Sequence, residues 1–265
     1  MNFRQKLESA IQENNSLLCV GLDPDIEKLP QQFLKKENSI FEFNKWIIDQ
    51  TADLVCCYKP QIAFYASAGI PGIKALSETI DYIHLKYPKI PVILDAKRGD
   101  VGSTAKQYAK EVFDVYSSDA ATVSPLLGFD SLKPFLERKD KGIIILARTS
   151  NEGASDFQDL LVNSTPLYAE IAKKIVVWDK TYNNCLMVVG ATWPEQLQKV
   201  REIAPEMFLL IPGIGAQGGD LEKTLKAGLT KGKSGLIISS SRGIIFAESP
   251  RQEAIKLKEE INKYR

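Results

Sequence analysis

The sequence predicts an α/β chain folded as a single-domain (β/α)8 TIM barrel, residues 1–265, with an extra N-terminal helix. Three observations predict it. Eight short apolar runs, rich in Val, Ile and Leu and without polar alternation, recur along the chain; strands buried on both faces of a parallel sheet look this way. Amphipathic stretches whose apolar residues fall on one helical face lie between most of them, which implies repeated βαβ units. Charged and polar residues gather at the C-terminal ends of the runs, the end of a barrel where catalytic groups collect.

The elements follow in order. Phe3 to Asn14 reads as a helix that precedes the barrel. The strands read as Leu17 to Asp23, Leu54 to Pro60, Pro91 to Lys97, Ala121 to Pro125, Gly142 to Arg148, Cys185 to Thr192, Met207 to Gly213 and Gly235 to Arg242. Phe41 to Ile48 and Leu221 to Lys226 are examples of the intervening helices. A doubly wound sheet is the structural rival, but it would want a Gly-rich phosphate turn after the first strand. That position holds Val20-Gly21-Leu22-Asp23-Pro24, which is no dinucleotide fingerprint. No linker, low-complexity segment or sequence repeat divides the chain.

Composition narrows the function. Lys plus Arg is 34 and Asp plus Glu is 33, a formal net charge of +1, so no basic field favours nucleic acid or a membrane surface. A hydrophobic content of 44% suits a soluble protein with a sizeable core. No apolar run approaches the roughly 20 residues that span a bilayer, and Met1 to Leu7 lacks a signal-peptide core; the expected location is cytoplasmic. Cys19, Cys56, Cys57 and Cys185 lie in apolar runs and read as buried free thiols. The one histidine, His84, lies in Asp81 to Lys86 and reads as an outer-helix residue. Neither the cysteines nor His84 have metal-ligand spacing.

The strand ends carry the chemistry. The first delivers Asp23, the second Lys59, and the third Asp95, Lys97 and then Asp100. The fifth delivers Arg148-Thr149-Ser150-Asn151, the seventh Pro212 to Asp220, and the eighth Ser239-Ser240-Ser241-Arg242-Gly243. Asp95-x-Lys97-x-x-Asp100 places a cation between two anions, each favouring the other's charged form. Such a site repels an anionic substrate group and can donate a proton beside it. Lys59, seldom buried without a partner, finds one in Asp95 or Asp100, or else snorkels to the barrel edge. Asp23 could instead cap a turn, and the third-strand cluster could be a surface ion-pair group. The Gly-rich run with Gly213, Gly215 and Gly218 lets backbone N–H groups approach an anion. Arg242, beside Gly243, offers a planar fork to phosphate oxygens. Loops after the last two barrel strands are the usual phosphate site; the plainer alternative is a flexible turn.

Together these residues resemble the orotidine 5′-phosphate decarboxylase family, in its bacterial type 2 form. Leu94 to Thr104 resembles the family signature. Tyr58 to Tyr65, Ala147 to Asn151 and Pro212 to Asp220 resemble further family blocks, in order. The resemblance runs from about Val20 to Arg242. It implies a charged tetrad of Lys59, Asp95, Lys97 and Asp100, with Asp100 and Thr104 reaching across a homodimer into the partner's site. It implies that Asp23 and Lys59 contact the ribose, Ser150 and Pro212 the pyrimidine, and Gln217 and Arg242 the phosphate. The implied reaction converts orotidine 5′-phosphate to UMP and CO2 without a metal or organic cofactor, Lys97 stabilising and protonating the C6 carbanion. Two alternatives remain. A metal-dependent sugar-phosphate enzyme of the same superfamily would place an acid, not Lys59, at the end of strand two. A phosphate-ligand binding barrel would have no need of Lys97 between acids.

Overall fold

The computed structural model describes residues 1–214 and 219–265. Eight parallel strands form the barrel wall: β1 (Leu18–Leu22), β2 (Cys57–Pro60), β3 (Ile93–Arg98), β4 (Ala120–Val123), β5 (Gly142–Arg148), β8 (Cys185–Val189), β9 (Leu209–Ile211) and β10 (Leu236–Ser240). A two-stranded hairpin, β6 (Leu161–Val162) and β7 (Thr165–Pro166), projects from the chain after β5. The wall runs in the order β2-β1-β10-β9-β8-β5-β4-β3. Parallel bridges Tyr58–Val92 and Gln61–Asp95 join its two edges and close the circle. Side chains of β1, β4, β8 and β9 are buried throughout, as expected where helices cover one face of a strand and the lumen the other.

β5 spans the whole of its apolar run, whereas the other strands are shorter than theirs. Leu54, Val55 and Cys56 are buried, yet only Cys56 N–H, bonded to the Leu18 carbonyl at 2.7 Å, has met the sheet. Helix α1 (Phe3–Asn14) precedes the wall, and α2 (Gln31–Leu34), α3 (Ser39–Thr51), α4 (Ile62–Ala66), α5 (Gly69–Lys86), α6 (Gly102–Lys110), α7 (Phe129–Leu136), α8 (Leu167–Tyr182), α9 (Pro194–Ile203), α10 (Leu221–Gly228), α11 (Arg242–Ile245) and α12 (Pro250–Asn262) fill the intervals and follow the last strand. The four cysteines are buried free thiols. No helix among the described residues is long and apolar enough to cross a membrane.

The N-terminal helix α1 spans Phe3–Asn14. Asn2 and Gln5 form a reciprocal capping box, and Asn15 ends the helix in the left-handed region, the chemistry expected of these residue types. The helix closes the barrel at the N-terminal ends of the strands. Phe3 packs so tightly on Gly142 that a Cβ there would lie 2.2 Å from the ring. Lys6 pairs with Asp119 at 3.0 Å. Asp119 also accepts from Val92 N–H at 2.8 Å and meets His84 Nε2 at 3.0 Å. His84 therefore braces the base of the barrel, at the opposite end from the charged rim.

Candidate active site

The C-terminal rim encloses a cavity of about 470 Å³. Asp95 occupies its centre because it sits on β3 where the strand faces the lumen. The residue is 8% exposed and its carboxylate is fully engaged. Lys59 Nζ, from β2, lies 3.2 Å from Oδ2; Lys97 Nζ lies 2.6 Å from Oδ1. The Thr122 hydroxyl, from β4, donates to Oδ1 at 2.8 Å. Burial alone would raise the Asp95 carboxyl, but the charges of Lys59 and Lys97, with the hydrogen bonds of Lys97 and Thr122, outweigh it and hold the group well below the usual carboxylate range. Burial would likewise lower the Lys59 ammonium; Asp95 and then Asp23 outweigh that and hold it above the usual lysine range. The buried pair is thus fixed as carboxylate and ammonium.

Lys97 is held differently. Its φ is +47°, a left-handed conformation that a lysine adopts at a cost of about 1–2 kcal/mol. The register between β3 and β4 shifts here, between Leu94 and Arg98. A bulge of this kind re-aims a side chain. Lys97 N–H then donates to the Thr122 hydroxyl at 2.9 Å. The Lys97 side chain remains about half exposed, its ammonium against Asp95 at the cavity wall. The floor is apolar, made by Leu146, Val188 and Leu210.

Asp100 departs from the picture of a cation between two acids of one chain. Its carboxylate accepts from Val101 N–H at 2.8 Å and does not line the cavity. Thr104, on the first turn of α6, is exposed and also lies outside it. Asp23 lines the cavity with Oδ1 buried and unpartnered, so it is not the turn cap that its place before Pro24 allows. Ser150 and Pro212 line the same space, as do Gly213, Arg242 and Gly243. Arg242 opens the short helix α11 (Arg242–Ile245), whose first N–H groups have no acceptor within the helix. Gly213 has φ +102°, which favours glycine. Gly215, Gln217 and Gly218 lie outside the described residues. Gly21 is required by closeness: a Cβ there would lie 2.7 Å from Ser241 Cβ.

Arg148 is not a rim residue. It is fully buried, forked onto Asp159 with two 3.0 Å bonds and stacked 4.9 Å from the centre of the Trp193 ring. This strut anchors the loop that carries Ser150. Gly190 presses on the same loop, a Cβ there falling 2.5 Å from Ser150 Cα. Thr122 is the residue that sequence reasoning passed over; within Ala121-Thr122-Val123 it reads as an ordinary β-branched strand residue. Among the described residues no group of three or more His, Cys, Asp and Glu side chains gathers as a metal site.

Residues 16–257 match the family model described as "Orotidine 5'-phosphate decarboxylase / HUMPS family". A protein of Cellvibrio japonicus named orotidine 5′-phosphate decarboxylase is 51% identical over 271 residues, covering 99% of this chain and 98% of that protein. One of Ralstonia pickettii with the same name is 50% identical over 273 residues and covers both chains fully. The solved structure of Leishmania donovani OMP decarboxylase superposes with a TM-score of 0.89 at 40% identity, covering 100% of this chain and 99% of that one.

Proposed function

The chain belongs to the orotidine 5′-phosphate decarboxylase / HUMPS family, and from that premise we propose how its side chains carry out the family's decarboxylation. The reaction is the conversion of orotidine 5′-phosphate to UMP and CO2 in pyrimidine nucleotide biosynthesis. Residues 1–265 act as one barrel domain.

The observation that carries the mechanism is the Lys59–Asp95–Lys97 chain of contacts at 3.2 and 2.6 Å. The bond from C6 to the carboxylate breaks and leaves its electron pair on C6. The Lys97 ammonium, placed beside C6, stabilises that pair and transfers its proton to it, giving UMP; water reprotonates the amine. A fixed cation over an apolar floor does this with little reorganisation. Asp95, held anionic, faces the departing carboxylate and disfavours the bound ground state. Lys59 and Asp23 hold the ribose hydroxyls, Ser150 and Pro212 the pyrimidine. Arg242, with Gln217 and the backbone at Gly213, Gly215, Gly218 and Gly243, holds the phosphate. Phosphate binding can then organise the site although the phosphate does not react.

No metal or organic cofactor enters this scheme. A dication at the end of β2 would lie against the Lys59 ammonium and be repelled by it. Purified protein in EDTA is therefore expected to consume orotidine 5′-phosphate, followed by absorbance, at the rate seen without chelator. Loss of turnover in EDTA with recovery in Mg²⁺ would overturn this reading in favour of a metal-dependent sugar-phosphate reaction.

Asp100 and Thr104 act in the site of a second copy. What supports this is their place outside their own cavity and the apolar surface beside them, Val101, Leu126, Leu127 and Phe129 all being exposed. In such a homodimer Asp100→Asn and Lys97→Ala are each nearly inactive. A heterodimer of the two keeps one intact site, so random mixing restores about a quarter of wild-type turnover per subunit. Verified heterodimers without any regain would rule out the shared site.

A further inference from the structure

We propose that Thr122 is a positioning residue for the decarboxylation, its one hydroxyl fixing both the Asp95 carboxylate and the backbone bend that aims Lys97. The inference rests on the decarboxylase mechanism above and adds to it a residue from β4, the strand that otherwise supplies none.

The hydroxyl has one proton and two lone pairs, and both kinds of site are used. The proton goes to Asp95 Oδ1 at 2.8 Å. A lone pair accepts Lys97 N–H at 2.9 Å. Thr122 is fully buried, so water does not stand in for either bond. Each bond restrains something the surrounding strands leave loose. The ladder between β3 and β4 pairs Ile93 with Ala120 and Leu94 with Ala121, then resumes only at Arg98 and Val123. In that gap Lys97 takes its positive φ, and the bond to Thr122 is the tie that β4 gives it. Asp95 Oδ1 meanwhile receives the Lys97 ammonium at 2.6 Å. Thr122 thus closes a small ring with the Lys97 main chain, the Lys97 side chain and the Asp95 carboxylate. With the hydroxyl gone, the carboxylate can turn about its axis and the bulge can relax. The ammonium moves with both.

A displacement of about an ångström at a reacting group lowers turnover by roughly 10²-fold. Thr122 is assigned no contact with the phosphate or the pyrimidine, and without its hydroxyl Asp95 keeps its charge and its Lys59 partner, so ground-state binding is expected to change little. The test compares Thr122→Val, which keeps the shape and removes the hydroxyl, with Thr122→Ser, which keeps the hydroxyl. The expected result is a fall of roughly 10²-fold in kcat for Thr122→Val with KM, and the affinity for UMP measured by calorimetry, within about threefold of wild type. Thr122→Ser is expected to recover kcat to within about fivefold. Should Thr122→Val not fold, as judged by its melting transition, Thr122→Ala replaces it with the same reading. A kcat near the wild-type value in the variant without a hydroxyl overturns the proposal. So does a fall that Thr122→Ser shares, because packing rather than the hydroxyl would then be responsible. Wild-type protein that does not consume orotidine 5′-phosphate overturns the decarboxylase mechanism and this role with it; an active wild type with an equally active Thr122→Val overturns the role alone.

Discussion

Replacing Lys97 with alanine is expected to lower kcat for orotidine 5′-phosphate by at least roughly 10⁴-fold, because in the proposed mechanism one side chain supplies both the charge facing C6 and the proton that C6 receives. Fixed-charge stabilisation is worth on the order of 10²–10³ and general acid catalysis on the order of 10²–10⁴. Removing both at once leaves the carbanion without a partner. The fold has little at stake. Asp95 keeps Lys59 at 3.2 Å and Thr122 at 2.8 Å, so no buried charge is left alone. Lys97 is half exposed, and solvated ion pairs of this kind contribute no more than about 1 kcal/mol. Absorbance assays and thermal melting measured on the same preparation check both halves. A folded variant that turns over near the wild-type rate would sink the proton-donor role.

Asp95→Asn is expected to damage stability as well as turnover. The amide is close in shape but presents an NH2 donor to one of two ammonium groups that now share a single acceptor. Lys59 is 5% exposed, and breaking a buried ion pair from one side costs about 3–5 kcal/mol. At this chain length that lowers the melting temperature on the order of 10 °C. Turnover is expected to fall as well, by at least roughly 10³-fold, since Lys97 loses its anchor and, in the proposed mechanism, the departing carboxylate loses the charge that opposes it. The effect carries a pH signature. The Asp95 carboxyl is depressed in the folded protein, so the unfolded chain binds its proton first. The stability it contributes is complete above pH about 4 and declines as the pH falls further, towards the folded pKa. The gap in melting temperature between wild type and Asp95→Asn should therefore be widest near neutrality and narrow below pH about 4. A gap independent of pH would mean that Asp95 is not held as an anion by its two lysines.

The barrel was legible because its strands are buried on both faces, which turns each into an unbroken apolar run, and because α1 carries its own start and stop in Asn2, Gln5 and Asn15. Asp95, Lys97, Lys59, Ser150 and Arg242 were legible because a charged or polar group at the end of such a run has few other reasons to be there. What was not legible depends on neighbours that are distant in sequence. Thr122 matters only because Asp95 and the Lys97 N–H lie across from it on β3. Arg148 ends its run like the rim residues, yet turns inward because Asp159 and Trp193 make a slot for a guanidinium. The β6–β7 hairpin is an exposed pair and a half-buried pair of residues around Asn163 and Ser164, both at positive φ, too short to leave a periodic signal. Strand limits were overdrawn wherever a buried approach, such as Leu54 to Cys56, is as apolar as the strand it leads to.

The left-handed backbone at Lys97 has a consequence for how this chain can change. Glycine would occupy that conformation without penalty and asparagine with little, so the fold by itself favours residues with no ammonium to offer. If Lys97 serves C6 as proposed, position 97 is where demands for rigidity and for reactivity pull in opposite directions, and the lysine records which has prevailed. A descendant freed from the reaction could gain stability in a single step at this residue. A designer seeking a sturdier barrel would meet the same temptation first here, and would lose the chemistry by yielding to it.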